Sequence, residues 1–107
     1  MLGILKKKII DEQAAMRFWK WFEENEDYLI EKLKTNDPEI VWAIDEVLAP
    51  VFPYFKQDLE FQLGFHKNEG ELFLFHLNDQ YLKRDFELFE KMMPKTLEKR
   101  WTLIIEA

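Results

Sequence analysis

The chain has 107 residues, of which 48% are hydrophobic and 16% aromatic, and its formal net charge is −6. That size suits one domain, 1–107, and the apolar content can fill a core without disulfides. Such an acidic chain is repelled by phosphate backbones, which excludes nucleic acid as a partner, and a sequence without cysteine suits a reducing, cytoplasmic setting.

The opening Met1-Leu2-Gly3-Ile4-Leu5-Lys6-Lys7-Lys8 puts apolar residues before basic ones, the reverse of a secretory leader. Residues 1–10 read as a flexible or docked segment. The alternative is a peripheral membrane accessory held by residues 1–8, with Leu2, Ile4 and Leu5 in lipid beside the lysines. No stretch approaches the roughly 20 apolar residues of a membrane span.

From Asp11 to Lys34 the spacing predicts one helix. Ala15, Phe18, Trp19, Phe22, Leu29 and Leu33 form its buried stripe. Trp21 lies off that stripe, in line with Ala14 and Tyr28. Thr35-Asn36-Asp37-Pro38-Glu39 is a boundary where Asp37 caps the next helix and Pro38 enters its first turn. Ile40, Ile44, Val47 and Leu48 face inward on that second helix, and Trp42 points to one side. Pro50 and Pro53 end it in an extended connector, Ala49 to Phe55.

From Leu59 the period changes to two. Leu59, Phe61, Leu63 and Phe65 alternate with Glu60, Gln62, Gly64 and His66, the pattern of a half-buried strand. A loop of Asn68-Glu69-Gly70, with Gly70 in the left-handed conformation, predicts a return strand from Glu71 to Leu77. That register sets Phe65 opposite Phe73, Leu63 opposite Phe75 and Phe61 opposite Leu77, so one face is wholly apolar. A third helix starts at Asn78-Asp79, with Tyr81, Leu82, Phe86, Phe89 and Met93 inward, and stops at Pro94. Trp101 to Ile105 is the last strand. The order ααββαβ predicts an α+β fold: a small three-stranded antiparallel or mixed sheet with helices mainly on one face.

The segments Phe18-Trp19-Lys20-Trp21-Phe22-Glu23 and Pro94-Lys95-Thr96-Leu97-Glu98-Lys99-Arg100-Trp101 resemble a family of small bacterial proteins. These have a Phe-Trp-x-Trp-Phe first helix, a central hairpin and a late Pro-x-x-Leu-x-x-x-Trp segment. The resemblance implies a bacterial, cytoplasmic small domain and no particular activity.

The sequence contains neither serine nor cysteine, which removes the two commonest nucleophiles and every triad built on them. Three scattered glycines make no phosphate loop. His66 and His76 sit about four strand positions apart, at roughly 3.3 Å each, too far to share a metal. Acidic pairs such as Glu23 with Asp27 and Asp45 with Glu46 belong to a solvated helical surface. No catalytic residue, cofactor or metal site is expected.

The leftover surface is the second face of the sheet. In the predicted register it carries Gln62, Leu72, Leu74, His76 and Ile104, an apolar patch with a polar rim. Trp21 and Trp42 are the corresponding candidates on the helical side. The leading expectation is a non-enzymatic interaction module. It would self-associate as a homodimer or bind another protein through that face, as an acidic immunity-type or adaptor protein would. The alternative is a small-ligand-binding or enzymatic domain. Its pocket would lie between the sheet and the 49–57 connector, lined by Tyr54, His76 and Gln62.

Overall fold

The first predicted helix is two. A computed structural model of the chain describes residues 10–53 and 59–107, and in it α1 (Glu12–Glu24) and α2 (Glu26–Lys34) meet at Asn25. The stripe that passes through Phe22 needs an apolar residue three or four positions on, and Asn25 and Glu26 stand there instead. The Asn25 amide Nδ2 donates to the Trp21 carbonyl at 2.8 Å and closes α1. At the other end of α1, the Asp11 side chain accepts the Ala14 N–H at 3.0 Å. Arg100, distant in sequence, holds Glu26 at 3.1 Å and Asp27 at 2.7 Å at the start of α2.

Asn36 ends α2 in the left-handed region, at φ 56°. The Asp37 N–H reaches the Lys32 carbonyl at 3.0 Å and the Asn36 N–H reaches that of Leu33 at 3.1 Å, the paired bonds of a Schellman turn. Asp37 then accepts the Glu39 N–H at 2.9 Å, as the sequence predicts, and opens α3 (Glu39–Leu48). The connector is not extended at its start. Ala49–Val51 forms a short 3-10 turn, and its Val51 carbonyl accepts the Asp11 N–H at 2.9 Å. Residues 54 and 55 of the predicted connector lie outside the described residues.

Strands β1 (Glu60–His66), β2 (Glu69–Phe75) and β3 (Trp101–Glu106) form a mixed sheet in the order β1-β2-β3. The hairpin is antiparallel, and β2 pairs with β3 in parallel after α4 (Gln80–Lys91) crosses between them. The fold is α+β, with a small mixed sheet and four α-helices among the described residues.

The hairpin register differs from the predicted one. The turn has two residues, Lys67 and Asn68, with φ of 53° and 65°, the signature of a type I′ turn. Phe61 therefore faces Leu74, Leu63 faces Leu72 and Phe65 faces Gly70. The shift is an odd number of residues, so every β2 side chain changes face. The same geometry recurs at Leu77 and Asn78, with φ of 54° and 63°, where the Asp79 N–H closes on the His76 carbonyl at 2.9 Å. Both turns read His-x-Asn-acid: His66-Lys67-Asn68-Glu69 and His76-Leu77-Asn78-Asp79.

Asp79 caps α4 by accepting the Tyr81 and Leu82 N–H groups. Leu82, Asp85, Phe86 and Phe89 face inward at helical spacing. Tyr81, predicted inward, falls outside that spacing and is exposed. The buried Asp85 carboxylate lies 3.3 Å from the Arg84 guanidinium. Between helices and sheet lies an aromatic cluster. Trp19 stacks on Phe89 with centroids 4.7 Å apart and donates its Nε1–H to the Phe89 carbonyl at 3.1 Å. Phe22 meets Trp101 edge-on at 4.6 Å, and Phe52 meets Phe86 at 5.1 Å.

Gly70 does not adopt a positive φ. What it supplies is space, because a Cβ there would lie 2.6 Å from the buried Trp101 ring. Gly70→Ala should therefore destabilise the fold by about 1–3 kcal/mol through overpacking, seen as a lower urea midpoint. Lys67→Asn should do the reverse. Asparagine tolerates the left-handed conformation better, and a gain of roughly 0.5–1 kcal/mol is expected in the same titration.

Candidate functional site

The odd shift in register decides which residues remain available. Leu72 and Leu74, predicted on the second face, are 2% and 0% exposed and belong to the core. His76 is buried on the same side, where its Nδ1 accepts the Asn78 N–H at 3.1 Å and fastens the turn into α4. Gln62 pairs across from Phe73 and is on the opposite face, so His76 and Gln62 do not assemble into one pocket. Tyr54, the third member of that predicted pocket, lies outside the described residues, as do residues 1–8 of the predicted membrane segment. Among the described residues no helix is long and apolar enough to cross a membrane.

Alternation fixes the composition of the open face. Phe61, Leu63, Phe65 and Ile105 pack against the core together with Leu72, Leu74, Trp101 and Leu103. Phe73, Phe75 and Ile104 point away from it, across from Gln62, Glu60 and Phe73 respectively. They are half-buried, and the two phenyl rings lie nearly parallel, 11° apart, at 6.4 Å. Gly64 lets the Glu71 side chain lie across β1, since a Cβ there would meet Glu71 Oε1 at 2.6 Å. Around this strip stand Glu60, Glu69, Glu71 and Glu106, with Gln62, His66 and Thr102. No lysine or arginine occupies a position on this face among the described strand residues. Of the predicted second-face residues, then, Ile104 and Gln62 remain, and Phe73 and Phe75 replace the two leucines.

The helical side offers a separate surface. Trp42 is 74% exposed and borders a shallow groove with Tyr28, Glu39, Asp45 and Glu46. Trp21 is half-buried against the core, beside Arg17, Val47 and Pro50. The two tryptophans line different grooves and share only Glu46.

A third feature is a cleft of about 540 Å³ between β1 and the α2–α3 turn, floored by Leu33, Ile40, Val41, Phe61 and Leu63. Its charges are already matched. Lys32 lies 2.9 Å from Asp37 and 3.0 Å from Glu39. Hydrogen bonds to Asp37 and then Glu39 hold the Lys32 ammonium above its ordinary value. Lys32 in turn holds both carboxylates below theirs, helped at Asp37 by the Glu39 N–H and at Glu39 by the Tyr28 hydroxyl. Desolvation and then the Glu39 hydrogen bond raise the Tyr28 phenol. Among the described residues no three His, Asp or Glu side chains gather to hold a metal.

Compared with known proteins, the chain matches no family model, no curated protein and no solved structure.

The Lys32 cluster has a definite pH signature. Its carboxylates are depressed in the folded state, so their stabilisation is present above the ordinary carboxylate range and fades as the pH falls through it. Asp37→Asn keeps a capping oxygen but loses the charge. Melting curves should place it slightly below the wild-type chain at neutral pH and level with it in acid.

Proposed function

We propose that this chain is a non-enzymatic protein-interaction module whose open sheet face binds a basic protein surface. The observation that carries this reading is the strip of Phe73, Phe75 and Ile104, which faces away from the core inside a rim of glutamates. Apolar area at the centre of such a patch supplies affinity, and the charged rim selects and steers the partner. Lysine or arginine side chains on the partner would meet Glu60, Glu71 and Glu106 and lay their aliphatic stems across the phenyl rings. Like charge on the rim disfavours two copies meeting face to face. The net charge of −6 draws a basic partner over longer range. We take the module to be cytoplasmic, as its cysteine-free, acidic composition allows.

An enzymatic role has less support. The charged groups beside the cleft are satisfied by one another, and catalysis needs a nucleophile or base left poised for a substrate.

A peptide of alternating lysine and leucine is a suitable probe, followed by calorimetry at two salt concentrations. The wild-type chain should bind it, more weakly in high salt. Phe73→Ser should weaken binding roughly tenfold and leave the circular dichroism unchanged. Asp45→Asn on the helical side should have no effect. Equal binding by Phe73→Ser, or none by the wild-type chain, sinks the reading.

A further inference from the structure

Strand β1 is an edge strand, since the sheet order is β1-β2-β3. In a hairpin closed by a two-residue turn, the residues flanking the turn exchange both backbone hydrogen bonds. His66 and Glu69 are those residues here, so Gly64, Gln62 and Glu60 also bond inward to β2. The N–H and C=O groups of Phe61, Leu63 and Phe65 therefore point out from the sheet. An edge of this length is normally blunted by proline, lysine or a bulge. Glu60-Phe61-Gln62-Leu63-Gly64-Phe65-His66 has none of them: no proline, no lysine, and an unbroken ladder to β2.

The apolar residues of the segment, Phe61, Leu63 and Phe65, are also symmetric about Leu63. Reversed upon itself, it sets Glu60 against His66, Phe61 against Phe65, Gln62 against Gly64, and Leu63 against Leu63. The three residues with outward backbone groups pair among themselves in that register. The partner's Leu63 and Phe65 would arrive beside Leu63 and Phe61, where the cleft floored by Leu33, Ile40 and Val41 opens along the strand. Charge agrees as well, since each glutamate at one end meets a histidine able to donate to it.

We propose that two copies of this chain pair antiparallel through β1, centred on Leu63, to make one continuous six-stranded sheet. The two-fold axis passes beside Leu63, and each contact occurs twice, as an isologous interface requires. The phenyl strips of the two copies then lie on one shared surface, so the assembled pair presents two equivalent binding faces. The pairing stands independently of what those faces bind.

The test is the solution mass of the full chain by sedimentation equilibrium across a broad concentration range. The wild-type chain should approach twice its monomer mass. Glu60 and His66 are exposed, so exchanging them leaves the fold intact. Glu60→Lys should weaken the dimer roughly tenfold, because it puts a cation opposite His66 at both ends. Glu60→Lys combined with His66→Glu should restore it. Phe73→Ser, on the open face, should leave the mass unchanged. A monomer at every concentration overturns the pairing, and so does a dimer indifferent to Glu60→Lys. A dimer dissolved by Phe73→Ser and not by Glu60→Lys would mean that the copies meet through their faces. Failure of peptide binding with an intact, Glu60-sensitive dimer would instead reject the face reading alone.

Discussion

The packing of Trp19 on Phe89 is the contact on which the remaining architecture depends. It joins the first helix to the last, with the indole N–H held by the Phe89 carbonyl, so the pair is fixed in rotation as well as in distance. Phe18 and Phe52 close on the same phenyl ring at 5.1 and 5.6 Å. One aromatic side chain thus receives the first helix and the segment after α3. Edge-to-face and offset pairs of this kind contribute beyond their buried area, and they tolerate little displacement. With α1 and α4 locked together, the sheet has one side on which to pack. The other side carries Phe73, Phe75 and Ile104 away from the core.

Which residues appear on that other side is a matter of parity. Strand side chains alternate, so the number of residues in one turn assigns β2 to its faces. Lys67 and Asn68 form a turn of even length, and Leu72 and Leu74 go inward while Phe73 and Phe75 go outward. Leucine inside and phenylalanine outside is not what hydrophobicity alone would choose, since both are apolar. On the inner face Trp101 occupies the space above Gly70, where a Cβ would lie 2.6 Å from its ring.

Much of this was legible in the sequence. The α+β class, the mixed sheet as one of two alternatives, the Asp37 cap, the Asp79 start and the inward Leu82, Phe86 and Phe89 all follow from periodicity and end signals. The break at Asn25 was legible too, as a polar gap in the stripe, but a long amphipathic pattern outweighed it. The hairpin register was not recovered, because glycine is the usual signal of a left-handed residue and Gly70 drew the loop toward itself. Asparagine carried the signal instead. The repeated His-x-Asn-acid pattern could have identified both type I′ turns. With the register misplaced, Leu72, Leu74 and His76 were assigned to the surface, whereas Gln62 and Ile104 kept their places because they lie on strands whose alternation did not depend on the turn. Position beside the inward face of α3 left Trp42 open between secondary core and interface, and the structure leaves it 74% exposed.

The contacts that close the core are long in sequence. Trp19 reaches Phe89 across 70 residues, and Phe22 reaches Trp101 farther still. The central strand β2 gains its second neighbour only when β3 is in place. A ribosome making this chain therefore emits the aromatic helix α1 well before the later elements that complete its cover. Phe18 and Trp19 are covered only when α4 supplies Phe89, and Phe22 only when β3 supplies Trp101, so part of this aromatic face stays exposed while the chain is being made.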